Sequence, residues 1–280
     1  MTTRVDRIAR AIRRTGAASL LPPRGPLIVM YHGLGGNDGI ARESFAAQIE
    51  LLETQRRIVP LAELANRLEE PEAVDLAAIT FDDGYRDFAE IAVPVLDAAG
   101  AHATLFVPAG LVGRSNEWDS GTLPMRPILD ADSLRRLDPG RVEIGGHGYS
   151  HRRIVGLDRS SLELETLGCR RELERILERP VRAFAYPYGQ RGDFDSAAER
   201  AVADAGFLFA CSTCFGRSSR NRHRYRLRRV GIEPGDDLEI VAAKLGGAYD
   251  WVAWKERLGH GLRSLTGRSE SRSPKRTSRT

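Results

Sequence analysis

The feature that most constrains the fold is the alternation of short apolar runs with longer segments whose apolar residues recur at helical spacing. The apolar runs predict strands, and the longer segments predict helices. Strands that alternate with helices are typical of βα units in a parallel sheet. Seven or eight such units follow one another, which favours closure into a single α/β barrel. The predicted strands are Leu27–Tyr31, Arg57–Pro60, Leu76–Ile79, Ala103–Val107, Val142–Ile144, Ala183–Tyr186, Leu208–Cys211 and Leu227–Ile232.

Polar side chains come directly after several of these strands. His32 follows the first strand, Asp82 and Asp83 follow the third, and His147 follows the Val142–Ile144 strand. A parallel barrel gathers the carboxyl ends of its strands at one face, and that face carries the active site. The sequence therefore predicts that these residues, far apart along the chain, meet in one pocket.

Two adjacent acids and two histidines form the chemically most specific set. Asp82 and Asp83 lie at a strand end before a glycine, and neighbouring side chains on an extended backbone point to opposite sides. We expect one carboxylate to hold a metal ion and the other to handle protons. His147 and His151 are four residues apart, one turn if helical, and neutral imidazole is a common ligand of zinc. One carboxylate with two histidines leaves coordination positions open for water and substrate.

Composition excludes several other classes of protein. The chain has 280 residues, 41% of them hydrophobic, but no apolar run long enough to cross a bilayer. Its three cysteines are too few and too unevenly spaced for a disulfide framework. The formal net charge of +4 lies largely at the two ends; we expect the basic C-terminal tail to be solvated and expect no nucleic-acid partner.

The two ends of the chain predict the domain boundaries. We expect a basic N-terminal segment at 1–25, a barrel at 26–235, a helical extension at 236–262 and a disordered basic tail at 263–280. The arginine-rich N-terminus has no continuous apolar stretch of the kind found in secretory signals, which favours a cytoplasmic location.

Four motifs in this order resemble the polysaccharide deacetylase family, the carbohydrate esterases that share the NodB homology domain. The resemblance runs from about Pro26 to Ile232. It rests on TFDDG at 80–84, ATLFV at 103–107, HGYSH at 147–151 and FAYPYG at 184–189. It implies a deformed (β/α)7 TIM-like barrel and a metal-dependent N-deacetylase that acts on N-acetylated amino sugars.

Residue roles follow from the same resemblance. It implies that Asp83, His147 and His151 bind a divalent metal, most simply Zn²⁺, with Co²⁺, Mn²⁺ or Ni²⁺ as alternatives. Asp82 would act as the general base on metal-activated water, and the backbone N–H of Tyr188 would stabilise the oxyanion.

The sequence departs from the family pattern in two places. No good match is found to the Leu-His motif that supplies the general acid in many relatives. We expect His32, in MYHGL, to serve instead, as in the poly-N-acetylglucosamine deacetylase branch with an MYH strand end. Ala185 stands where relatives carry an arginine that orients the base, and Arg229 in the last strand is the predicted replacement. His223 and His260 lie in basic, loop-like surroundings and are expected to be solvated.

Three alternatives remain open at this stage. The same barrel can hydrolyse a small cyclic amide or ureide, because function lies in the site and not in the fold. Two histidines and a carboxylate also form the metal set of non-haem iron oxygenases, although the neighbouring Asp82 favours hydrolysis. The third alternative is a non-catalytic sugar-binding or membrane-surface protein, since Trp251 and Trp254 lie among basic residues in an extension that could make weak peripheral membrane contact.

Overall fold

The strands form one parallel sheet in the computed structural model, which describes residues 4–15, 25–121, 124–218 and 224–250. The neighbour order within the sheet is β1-β8-β7-β6-β5-β4-β3-β2, and every pairing is parallel. The strands are β1 Leu27–Tyr31, β2 Arg57–Ile58, β3 Leu76–Phe81, β4 Ala103–Val107, β5 Val142–Gly146, β6 Ala183–Ala185, β7 Phe209–Phe215 and β8 Leu227–Gly231.

The sheet closes because β1 pairs with both β3 and β8. Leu27 lies opposite Ala77 on one side of β1, and Val29 lies opposite Val230 on the other. The two-residue β2 pairs only with the start of β3, so seven strands form the closed barrel. The closure is irregular, since β5 and β6 pair only at Gly146 and Phe184 and the register of β7 shifts against β8. This architecture confirms the predicted deformed (β/α)7 barrel.

Helices connect most of the strands, and several begin at an aspartate. The side chains of Asp130, Asp158, Asp195 and Asp237 each accept a hydrogen bond from a backbone N–H in the first helical turn. The helices are α1 Arg4–Arg14, α2 Arg42–Gln55, α3 Leu61–Asn66, α4 Val93–Ala99, α5 Ala131–Arg136, α6 Arg159–Glu163, α7 Cys169–Leu177, α8 Ser196–Asp204 and α9 Leu238–Leu245. A π-helical turn, Phe88–Ala92, leads into α4, and a second one, Leu164–Gly168, joins α6 to α7.

Alternate strand residues divide the core into two parts. Ile28, Ala78, Phe106 and Ala183 belong to the cluster that fills the lower part of the barrel interior. Their neighbours along the strands, such as Val29, pack with the surrounding helices in the larger cluster. Apolar side chains therefore fill the barrel interior beneath its carboxyl-end face. Polar side chains lie at that face, at the carboxyl ends of the strands.

The N-terminal basic segment contains α1, which packs against α9 near the end of the described residues. Ala9 of α1 is fully buried in a cluster with Ile240 and Ala243 of α9. Arg10 forms ion pairs with Asp237 and Glu239. Residues 251–280, with the two tryptophans and His260, and also His223, lie outside the described residues. No helix in the described part of the chain is both long and apolar enough to cross a membrane.

Candidate active site

A cavity of about 400 Å³ opens at the carboxyl ends of the strands. Polar residues from four strand ends meet there, as the sequence predicts. The predicted residues that line it are His32, Asp82, Asp83, His147, His151 and Tyr188. Arg229 lies beneath this cavity and is fully buried.

Asp82 is held from below by Arg229. The guanidinium donates from Nη1 to Asp82 Oδ1 at 2.6 Å and from Nη2 to Oδ2 at 2.7 Å. It is fixed in turn by hydrogen bonds from Nε to the carbonyl of Ser212 and from Nη1 to the hydroxyl of Thr80. The side chain of Asp82 is 1% exposed. Burial would raise the pKa of Asp82, but the charge and hydrogen bonds of Arg229 outweigh it and lower the pKa, so the carboxylate is ionised.

Asp83 turns away from Asp82 and faces the two histidines. Its backbone adopts a left-handed conformation with φ 72°, at the bend after β3. Asp83 Oδ1 lies 3.1 Å from His151 Nε2 and 3.5 Å from His147 Nε2. Burial alone would raise the pKa of Asp83, but the two imidazoles bring it well below its usual value. The adjacent carboxylates thus take different partners, as predicted, but the cause is the left-handed bend at Asp83 and not alternation along an extended strand.

The Asp83, His147 and His151 set fits a divalent metal ion. One ligand atom from each residue lies within 4.8 Å of the others, and all three residues are buried. His147 Nδ1 lies 2.8 Å from the carbonyl oxygen of Ala185, so Nδ1 carries an N–H, and Nε2 faces Asp83 and would be the atom that binds a metal ion. A backbone carbonyl in this position is the usual partner of a metal-binding histidine.

The spacing of the two histidines does not reflect a helix. His147 to His151 lie in a loop after β5, and His151 has a left-handed backbone with φ 55°. The prediction that the two imidazoles lie close together is confirmed, but the prediction that a helical turn brings them together is wrong. The loop still brings the two rings to a centroid distance of 4.9 Å.

His32 and Tyr188 lie on the rim of the same cavity. His32 follows β1, its side chain is 43% exposed, and its Nε2 lies 3.9 Å from Asp82 Oδ2. Tyr188 follows β6 with φ 60°, and its ring lies 5.2 Å from the His151 ring. Among the described residues, none accepts a hydrogen bond from the Tyr188 N–H.

The loop between β4 and α5 supplies pocket residues that no sequence motif predicts. Trp118 stacks on His151 with ring centroids 3.8 Å apart and an interplanar angle of 24°. Asn116 braces the loop, because its side chain accepts from the N–H of Arg126 and donates to the carbonyl of Pro124. The length of the stretch 108–127, which has no periodic pattern, is the sequence feature that indicates an active-site loop.

Arg126 fastens this loop across the pocket. Its guanidinium contacts Asp38 at 2.6 Å and Asp87 at 2.5 Å, and it donates to the carbonyl oxygens of Leu34 and Gly35. The side chain is 14% exposed, so these contacts are largely shielded from solvent. The loop therefore depends on contacts with two distant segments of the chain.

Arg126→Met is expected to release this loop. The substitution leaves the half-buried Asp87 without its ion pair, which should destabilise the fold by roughly 1–3 kcal/mol. Hydrogen exchange should accelerate in residues 114–126. The matched control is Arg114→Met on the same loop, where an exposed pair with Glu117 is lost and little change is expected. Equal exchange in both variants would contradict the role of Arg126.

Comparison with known proteins agrees with this geometry. The family model described as polysaccharide deacetylase matches residues 70–210, half of the chain. YxkH of Bacillus subtilis (strain 168), whose name assigns it to the polysaccharide deacetylases, is 23% identical over 213 residues, which cover 74% of this chain and 71% of YxkH.

Solved structures share the fold. Streptococcus pyogenes deacetylase PplD in complex with acetate has a TM-score of 0.67 and 21% identity, and the match covers 79% of this chain and 98% of PplD. IcaB from Ammonifex degensii has a TM-score of 0.64 and 25% identity, with 79% and 97% of the two chains covered. The chain thus belongs to the polysaccharide deacetylase family, whose members are hydrolases of amide (N-acetyl) bonds.

Proposed function

We propose that this protein is a metal-dependent N-deacetylase that removes acetyl groups from N-acetylated amino sugars of a polysaccharide or its precursor. The observation that carries the proposal is the division of labour between two adjacent buried carboxylates. Asp83 faces two histidines, while Asp82 faces an arginine and stays ionised. A site that only bound a metal would not need the second carboxylate.

Asp83, His147 and His151 would hold the cation, most simply Zn²⁺. A divalent ion bound there supplies a Lewis acid that polarises the amide carbonyl and lowers the pKa of water. The protein provides the ligand atoms already gathered in a buried site, with the His147 tautomer set by the Ala185 carbonyl. Little rearrangement is then required when the ion binds.

Asp82 acts as the general base in this proposal. Its carboxylate lies beside the ligand set and takes a proton from the attacking water. Arg229 keeps the carboxylate ionised and fixes both of its oxygens, which restricts its orientation. Tyr188 also lines the cavity, and its N–H has no acceptor among the described residues, so this N–H is available for the developing oxyanion.

His32 donates a proton to the departing amine. It is the one histidine of the cavity whose side chain is substantially exposed, and it lies beside Asp82 and not within the ligand set. This position favours the branch of the family with an MYH strand end, resembling poly-N-acetylglucosamine deacetylases. It also explains why the chain does without a Leu-His motif near the end of the domain.

His32→Gln is expected to lower kcat by about 10²–10³-fold, because the amine then leaves without a positioned proton donor. Zinc affinity should change little, since His32 is not a ligand. The control is His102→Gln, at a partly exposed position before β4 and outside the cavity. A full loss of zinc in His32→Gln, or unchanged kcat, would contradict the assignment.

The substrate class is tested by comparing two kinds of amide. Trp118 lines the pocket and supplies an aromatic wall beside the ligand set, which suits a sugar ring. We expect acetate release from N-acetylglucosamine oligomers and no ring opening of small cyclic amides. Ring opening without acetate release would leave the site in place but move the substrate to cyclic amides or ureides.

A further inference from the structure

Glu165 is a buried carboxylate that the proposed mechanism does not use. It lies in the π-helical turn Leu164–Gly168 on the outside of the barrel, and its side chain is 1% exposed. Within the described ranges, no arginine, lysine or histidine forms an ion pair with it. A carboxylate is rarely buried without such a partner unless it accepts several hydrogen bonds.

Within the part of the chain that the structure describes, all hydrogen bonds that the Glu165 carboxylate accepts come from the loop between the two histidines. Oε2 accepts from the backbone N–H of Tyr149 at 2.8 Å and from that of Ser150 at 3.0 Å. Oε1 accepts a short hydrogen bond from the hydroxyl of Ser150. Both oxygens of one side chain are thus engaged by the residues that separate His147 from His151.

This loop has a conformation that requires support from outside. His151 has φ 55°, an unfavourable region for a residue with a Cβ, and Gly148 has φ 72°. A Cβ at position 148 would lie 2.9 Å from Glu165 Oε2, so glycine permits the close approach of the carboxylate. On the opposite side, the N–H groups of Ala109 and Gly110 donate to the carbonyls of residues 148 and 149. The loop is clamped from both sides.

We infer that Glu165 is a positioning residue that fixes residues 148–150 so that His147 and His151 present their Nε2 atoms to Asp83, and that it thereby sets metal affinity. This inference rests on the proposed metal-dependent function. Glu165 touches neither the ligand atoms nor the cavity, so it acts through the backbone between them. The Ala185 carbonyl contacts the His147 ring directly and fixes that ring alone, whereas Glu165 contacts the backbone that joins the two histidines.

Three substitutions separate the shape of Glu165 from its charge. In Glu165→Gln the amide oxygen can still accept both backbone N–H groups, and the NH₂ can donate to the Ser150 hydroxyl. In Glu165→Asp the charge is kept, but the side chain is one methylene too short to reach all three donors. In Glu165→Ala all three donors lose their partner. We expect metal affinity to fall in the order glutamine, aspartate, alanine.

The experiment measures the Zn²⁺ dissociation constant of the full chain by competition with a chromophoric chelator, together with thermal unfolding of the zinc-free protein. Glu165→Ala is expected to weaken zinc binding roughly 10- to 100-fold, and Glu165→Gln by no more than a few-fold. The matched control is Glu163→Ala, an exposed glutamate in the neighbouring α6 that should bind zinc like the wild type. Absorption of the Co²⁺-loaded proteins should show altered ligand geometry in Glu165→Ala and not in the control.

A lower unfolding temperature in Glu165→Ala with an unchanged zinc constant would overturn the inference, because Glu165 would then support only the fold. If the alanine variant does not fold, Glu165→Asp decides the question in the same way. Failure of the wild type to bind zinc would instead overturn the proposed metal dependence, and the role of Glu165 with it.

Discussion

Replacing Asp82 with asparagine is expected to lower kcat by about 10²–10⁴-fold while the protein still binds zinc. The amide cannot accept a proton from water at neutral pH, although it has nearly the shape of the carboxylate. The adjacent residue gives a matched comparison, since Asp83→Asn should lose zinc affinity, whereas Asp82→Asn should not. Acetate release should be measured at saturating zinc, with metal content determined on the same samples. Similar zinc loss in both variants would contradict the division of labour between the two carboxylates.

Arg229→Met is expected to destabilise the protein by about 3–5 kcal/mol. The substitution leaves Asp82 buried at 1% exposure without the guanidinium that binds both of its oxygens. Arg57→Met provides the control, because that arginine and its ion-pair partner Glu63 are both exposed. Urea unfolding of the two variants measures the difference. A loss of less than about 1 kcal/mol in Arg229→Met would show that the pair contributes little.

The double variant separates stability from catalysis. Combining Asp82→Asn with Arg229→Met removes both buried charges, so much of the lost stability should return. Activity should not return, because the base is still missing. Recovery of activity along with stability would mean that Asp82 serves the fold and that another residue removes the proton.

The sequence predicted the parts of this molecule that depend on local pattern. The apolar runs located the strands to within a few residues, since a strand buried on both faces needs an almost continuous apolar stretch. The closed parallel barrel then placed Asp82, Asp83, His147 and His151 together.

What the sequence left unpredicted depends on contacts between distant residues. The loop that carries Trp118 has no periodic pattern, and Arg126 holds it by pairing with Asp38, 88 positions away. The support from Glu165 to the histidine loop also spans 15 or 16 positions and begins in a π-helical turn. The packing of α1 on α9 joins the two ends of the described chain. In each of these three contacts, the local sequence around one residue does not indicate which distant residue it contacts.

The pairing of Arg229 with Asp82 was predicted only in part from the sequence. Resemblance to the family suggested that an arginine was needed near the base, and Ala185 could not supply it. Charge alone does not distinguish Arg229 from its neighbours Arg226 and Arg228. The structure distinguishes them, because side chains alternate between the two faces of β8 and the Arg229 side chain points into the barrel towards Asp82. The oxygenase alternative loses its support here, since family membership and the second, ionised carboxylate both favour hydrolysis.

The central claim is that acetate release requires both a metal at Asp83, His147 and His151 and an ionised Asp82. The most direct test is to measure acetate release from N-acetylglucosamine oligomers by wild type and Asp82→Asn, each stripped with a chelator and then restored with Zn²⁺. We predict that wild-type activity disappears on stripping and returns with zinc, whereas Asp82→Asn binds zinc but releases little acetate. Full acetate release from the stripped wild type, or from zinc-loaded Asp82→Asn, would contradict the account.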